Sequence, residues 1–125
     1  MKKTIKKALC ILSATLCVMG SAITVSADTV TFNVTPPGDP YSYSVRKADT
    51  EQNAYFTGTY FSNSRTLYCY SQQLNDGTVT SSTASLNSGN RSAVKAYNSW
   101  AAPYLYYQMF SWANGSINVQ GRFTP

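Results

Sequence analysis

Hydrophobic and polar residues alternate with a period of two along several short segments, which is the pattern of strands that bury one face. In the first of them, TVTFNVT, the side chains of Val30, Phe32 and Val34 share one face, and polar side chains take the other. The following PPGDP ends the pattern, because proline lacks the amide donor that a sheet needs. The sequence therefore predicts a strand over residues 29–35.

Turn residues separate the later segments at intervals of roughly 8 to 12 residues, a spacing typical of all-β domains. The Asp-Gly pair of NDGT favours a tight hairpin turn. RSAVKAYNSWAAP is compatible with a short strand or with a helical turn that stops before Pro103. The other predicted strands are YSYSVRK, with Tyr41, Tyr43 and Val45 on one face; AYFTGTYF (54–61); RTLYCYSQQL (65–74); VTSSTASL (79–86); and a last hairpin of YLYYQMFSW (104–112) and INVQGRFTP (117–125) across ANGS.

These segments amount to seven or eight short strands and predict an all-β fold, either a small antiparallel β-sandwich or a closed barrel. The composition agrees, because the chain has ten tyrosines, five phenylalanines and two tryptophans, and aromatic residues suit the pleated surface of a sheet. A single domain over residues 28–125 accounts for this length.

The first 27 residues have the three parts of a secretory signal peptide. MKKTIKK carries four lysines, ALCILSATLCVMGSAITV is an apolar run, and VSAD places Val25 and Ala27 at the small-residue positions of a signal peptidase site. The run is also about as long as a transmembrane anchor requires, but the cleavage site that follows favours export. We therefore expect cleavage between Ala27 and Asp28, secretion from a Gram-positive bacterium, and no stable membrane insertion afterwards.

Removal of that segment changes the charge of the protein. The full chain has a formal net charge of +5, but four of its ten cationic residues lie in MKKTIKK. Six cationic and five acidic residues remain after residue 27, which is a net charge of +1. Nucleic-acid binding depends on clustered positive charge, so the sequence argues against a nucleic-acid partner.

The chain contains no histidine, which removes the usual general base at neutral pH and the usual metal ligand. The segment SAVK, Ser92 to Lys95, matches the S-x-x-K motif of serine β-lactamases. The S-D-N and K-T-G partners of that motif are missing, so we interpret it as a chance match. We expect no enzymatic activity, no metal site and no cofactor.

Four acidic residues and one thiol remain as candidates for chemistry. Acid pairs hydrolyse glycosides at suitable separations and loop acids bind calcium, but solvated turn residues are the simpler interpretation here. Cys69 falls on the apolar phase of its strand, so we expect a buried thiol and a monomer, with a Cys69-linked dimer as the alternative. The acids, all in predicted loops, are Asp39, Asp49, Glu51 and Asp76.

The segment YLYYQMFSW is aromatic at five of its nine positions and apolar on both phases, and LYCYS behaves alike. Such a strand is either covered on both sides or keeps one aromatic face open to solvent. The tyrosines then either supplement the core, with hydroxyls that reach water, or form a platform for sugar rings or a partner surface. The ligand-binding residues predicted for that platform are Tyr68, Tyr70, Tyr104, Tyr106 and Trp112.

The segments FNVTP, AYFTGTYF, VKAYNS and INVQGRFTP resemble small exported proteins of Gram-positive bacteria, which share a signal peptide, aromatic strands and a terminal G-R/Y-aromatic ending. This resemblance covers most of residues 28–125 and implies export and an all-β fold, since such proteins have no assigned activity. TASLNSGNRSAVKAYNSWA is more loosely similar to lactococcin-like bacteriocins, which are small secreted β-sandwiches, although their His- and Trp-rich stretches are missing here. Neither resemblance implies particular functional residues.

The sequence thus predicts a secreted, non-catalytic β-sandwich that binds a cell-wall glycan or an extracellular protein through an exposed aromatic face. The alternative hypothesis is a bacteriocin-like antimicrobial protein.

Overall fold

The computed structural model describes residues 28–125. The predicted signal peptide and Ala27 lie outside the described residues, and Asp28 is the first residue within them. The described part contains eight β-strands and no helix, in agreement with the alternation. The strands are β1 (Val30–Val34), β2 (Val45–Arg46), β3 (Asn53–Phe61), β4 (Leu67–Gln73), β5 (Ala84–Leu86), β6 (Ser92–Ala96), β7 (Tyr106–Trp112) and β8 (Val119–Thr124).

The strands form two antiparallel sheets of four strands each. The first sheet has the order β1-β8-β3-β6, and the second sheet has the order β2-β7-β4-β5. The sheets do not close into a barrel, so the domain is a β-sandwich. RSAVKAYNSWAAP supplies the edge strand β6, which decides between the strand and the helical turn in favour of the strand.

The core lies between the two sheets and consists of alternate residues of each strand. Phe32 and Val34 of β1 are buried, as are Leu67 and Cys69 of β4 and Met109 of β7. The predicted burial of Cys69 is therefore confirmed, and desolvation raises the pKa of its thiol to about 12. At neutral pH this thiol is protonated and enclosed.

The predicted last hairpin is wrong, because β7 and β8 belong to different sheets. β8 pairs with β1 and β3, so that Phe123 lies opposite Val30 on one side and Phe56 on the other. The short segment between β7 and β8 crosses the edge of the sandwich, and Ile117 is buried within it. Alternation reports which face of a strand is buried but not which strand lies beside it, so it did not distinguish a hairpin from a crossing.

The strand predicted over residues 41–47 is interrupted. Tyr41 lies opposite Phe110, and Val45 lies opposite Tyr107, so three residues of this segment face two residues of β7. The extra residue is a β-bulge, which reverses the phase of alternation. As a result Tyr41 and Tyr43 are exposed while Val45 is buried, and the predicted common face for these three residues is wrong.

No helix within residues 28–125 has the length and apolar character needed to cross a membrane.

Candidate ligand-binding face

Five aromatic side chains form a continuous cluster on the outer surface of the second sheet. The centroid of the Phe110 ring lies 5.2 Å from that of Tyr41, 5.6 Å from that of Tyr70 and 5.8 Å from that of Trp112. The Trp112 ring also lies 5.8 Å from Tyr68 and 5.9 Å from Tyr70. These separations fall within the range of attractive aromatic pairs. We call this cluster of Tyr41, Tyr68, Tyr70, Phe110 and Trp112 the aromatic face.

Strand register brings these rings together. In the pairing of β4 with β7, Tyr68 lies opposite Trp112 and Tyr70 lies opposite Phe110. On the other side of β7, a bridge places Tyr41 opposite Phe110. Side chains that face each other across antiparallel strands have Cβ atoms about 4.5–5.5 Å apart. Three adjacent strand segments therefore present one contiguous aromatic surface.

Two of the residues that turn inward beside these rings are serines. Ser111 is buried, whereas its neighbours Phe110 and Trp112 point outward. The Ser111 hydroxyl donates a hydrogen bond of 2.7 Å to the Pro40 carbonyl. Ser71, which follows Tyr70 on β4 and lies opposite Met109, is also buried. Burial alone would favour rings inside and hydroxyls outside, so core formation does not explain this arrangement.

Three of the five predicted ligand-binding residues, Tyr68, Tyr70 and Trp112, are part of the aromatic face. Sequence reasoning did not select Phe110 or Tyr41. Phe110 shares the outward phase of its strand with Trp112, so the sequence contained a signal for it. Tyr41 joins the cluster only because of the bulge that follows it, and simple alternation carries no signal for that.

The other two predicted residues lie apart from the aromatic face. β7 begins at Tyr106, which is 52% exposed but is separated from Phe110 along the strand by Gln108. Tyr104 precedes the strand with a φ of 68°, and its ring centroid is 4.8 Å from Cζ of Arg46. No ring contact in the described part of the chain connects either tyrosine to the aromatic face.

A pocket of about 740 Å³ adjoins the aromatic face. Tyr41 belongs to both the pocket and the aromatic face. Gln108, which lies on the same strand and the same face as Phe110, also lines the pocket. The volume is typical of sites for small molecules. The Gln108 side-chain amide donates to the Ser42 carbonyl at 2.8 Å. The rest of the lining is mainly polar and includes Thr31, Asn33, Asp39, Tyr43, Thr59 and Gln120.

Lys47 is the buried cation of the domain, and its side chain is 0% exposed. Its Nζ lies 3.4 Å from a carboxylate oxygen of Asp49 and donates to the Pro125 carbonyl at 3.1 Å. Desolvation lowers the pKa of Lys47, although Asp49 and Glu51 act in the opposite direction. Because the ammonium is enclosed by these contacts, it joins strand ends and does not face a ligand.

The candidate acidic residues do not form one cluster, although Asp49 and Glu51 both lie near Lys47. Asp39 lines the pocket, Glu51 accepts a hydrogen bond from the Tyr55 hydroxyl, and Asp76 accepts from Thr78 within its turn. Residues 28–125 contain no group of three or more acidic or cysteine side chains placed to hold a metal ion.

The S-x-x-K match lies within β6. Ser92 and Lys95 are three residues apart on this strand, so their side chains point to opposite faces of the sheet. A serine nucleophile needs a base within hydrogen-bonding reach, and this pair does not provide one.

No model of a known protein family matches the chain, and comparisons with curated proteins and with solved structures found no significant match.

Proposed function

We propose that this protein is a monomeric, non-catalytic binding module that acts outside the cell and holds a glycan of the cell wall on the aromatic face. The observation that carries the proposal is the outward position of five contiguous rings above buried serines. The apolar faces of sugar rings stack on flat aromatic surfaces, and a sheet holds such a surface rigid before the ligand arrives.

Polar groups beside the rings support a glycan in preference to a protein partner. Gln72 and Gln108 lie opposite each other on β4 and β7, on the same outward face as the aromatic residues. A primary amide donates and accepts hydrogen bonds, which is what sugar hydroxyls require. The adjoining pocket offers further amide and hydroxyl groups from Asn33, Thr59 and Gln120.

Retention on purified cell-wall glycan tests this proposal. We expect the double variant Tyr70→Ala/Trp112→Ala to bind about 30-fold more weakly, since each stacked ring contributes about 1 kcal/mol. A sedimentation assay with insoluble wall material measures the change, and thermal unfolding verifies that the variant is folded.

The matched control is Tyr55→Ala/Tyr60→Ala, which removes two exposed tyrosines of β3 in the first sheet. This control should retain wild-type binding. Equal retention of the ring variant and the wild type would refute the glycan role, and binding to a protein fraction alone would replace the glycan with a protein partner. Growth inhibition of Gram-positive strains by the purified protein would support the antimicrobial alternative.

A further inference from the structure

Arg46 is the only charged side chain that the strands of the second sheet direct outward. It lies in β2 opposite Tyr106 of β7 and is exposed. Within residues 28–125 the ion pair joins Lys47 to Asp49 and does not include Arg46. The Arg46 guanidinium also makes no hydrogen bond to another described residue. A cation with no ion-pair partner among the described residues therefore stands on the same surface as the aromatic face.

Tyr104 fixes the position of this cation. The Tyr104 ring lies against the guanidinium, with 4.8 Å from Cζ to the ring centroid. The backbone of Tyr104 has a φ of 68°, a conformation that is unfavourable for aromatic residues. The ring is 62% exposed, so burial does not account for the strain. The surrounding structure holds this conformation, because the Tyr104 amide donates a hydrogen bond of 2.7 Å to the Lys47 carbonyl, and strained residues of this kind are frequent at ligand-binding sites.

The spacing along β7 sets the size of ligand that reaches both features. Tyr106, the neighbour of Arg46, and Phe110 are four residues apart on the same face. At about 3.4 Å per residue they are separated by about 14 Å. A ligand that contacts Phe110 and Arg46 together is longer than one sugar ring.

We propose that the ligand of the aromatic face is an anionic oligosaccharide and that Arg46, held by Tyr104, binds its carboxylate or phosphate group. This inference rests on the proposed glycan function and adds the charge and length of the ligand. A guanidinium stacked on an aromatic ring keeps its N–H groups free at the edge, where they bind carboxylate or phosphate oxygens in pairs.

Calorimetric titration with three oligosaccharides of matched length tests the proposal: a neutral one, a carboxylated oligogalacturonate, and a phosphodiester-linked sugar oligomer. We expect the wild type to prefer an anionic ligand, and the preferred one identifies the anionic group. Arg46→Gln should lower affinity for that ligand about 10-fold and leave affinity for the neutral one unchanged. The affinity of Arg46→Lys for the anionic ligand should lie between the affinities of the wild type and Arg46→Gln. Added salt should weaken only the anionic complex.

The matched control is Arg122→Gln, which removes an exposed arginine from the outer surface of the first sheet, opposite Thr31 and Thr57. Equal wild-type affinity for neutral and anionic ligands, or equal losses in Arg46→Gln and Arg122→Gln, would overturn the inference. The glycan function would still stand if Tyr70→Ala/Trp112→Ala abolished binding. Failure of the folded wild type to bind any of the three oligosaccharides would overturn both.

Discussion

The two sheets differ in where their clusters of aromatic rings lie. In the first sheet Phe32, Phe56 and Phe123 are buried against the core. The outward rows of β1 and β8 are polar, as at Thr31 and Arg122, and the exposed rings of the sheet are those of β3. In the second sheet the rings of the aromatic face point outward, while Tyr107 and serine, leucine, methionine and cysteine side chains fill the inner surface.

This difference separates the rings that stabilise the fold from the rings on which the proposed function rests. Burial of apolar area explains the first sheet, where the largest side chains are hidden from water. The same rule explains inner residues of the second sheet such as Leu67 and Met109, but it does not explain the rings that point outward next to the buried Ser71 and Ser111. If the aromatic face binds a ligand as proposed, removal of its rings should affect binding more than folding.

The largest effect on stability should come from removing a ring of the first sheet, and removal of a ring of the aromatic face should have a much smaller effect. Phe56 is 1% exposed and stacks on Phe123 at 5.5 Å, so Phe56→Ala should lower the free energy of unfolding by about 4 kcal/mol. Phe110→Ala should lower it by about 1 kcal/mol, because that ring is only half-buried. Urea denaturation measures both. Equal losses would mean that the aromatic face is a second core.

Replacement of Gly121 in the first sheet should have a somewhat smaller effect on stability. A Cβ on Gly121 would come 2.7 Å from Cζ of Phe32 and would collide with the Thr57 carbonyl. Gly121→Ala should therefore lower the free energy of unfolding by about 3 kcal/mol. Gly38→Ala is the control, because its Cβ would approach no closer than 3.8 Å to the Thr35 carbonyl. A near-neutral Gly121→Ala would show that the first sheet is not tightly packed.

Period-two alternation predicted the all-β class and most strands because burial acts on each strand separately. It did not predict the pairing of β8 with β1 and β3, because a buried face looks the same beside any neighbour. For the candidate site, Tyr68, Tyr70 and Trp112 followed from strand phase. Tyr41 did not, since one inserted residue shifts the phase.

The free energy of unfolding at alkaline pH should depend on buried titratable groups between the two sheets. Desolvation raises the pKa of Cys69 from 9.0 to about 12 and also raises the pKa of Tyr97. The unfolded chain loses these protons at lower pH than the folded chain. The free energy of unfolding is therefore unaffected below about pH 9 and should fall by about 1 kcal/mol between pH 9 and 10.

Lys47 acts in the opposite direction. Its pKa in the folded protein lies below 10.5, so the unfolded chain keeps this proton to higher pH, and its contribution to stability rises as the pH approaches 10.5. Melting temperatures from pH 7 to 11 should still decline, with a shallower slope in Cys69→Ala between pH 9 and 10. The same slope in wild type and Cys69→Ala would exclude the thiol as a cause.

The smallest change in stability should come from Tyr104→Gly. Glycine accepts the positive φ of this position, which relieves roughly 1 kcal/mol of strain. Its larger entropy in the unfolded chain and the lost contact with Arg46 offset that gain, so the free energy of unfolding should stay within about 0.5 kcal/mol of wild type.

Tyr104→Ala is the matched variant, because it removes the same ring but keeps a Cβ at the strained position. Urea denaturation should find it about 1 kcal/mol less stable than Tyr104→Gly, while both lose affinity for the anionic ligand equally. That pattern would separate the backbone strain from the contribution of the ring. If Tyr104→Gly instead lost about 2 kcal/mol or more, the ring would be a structural element, and the strain at Tyr104 would no longer indicate a role in binding.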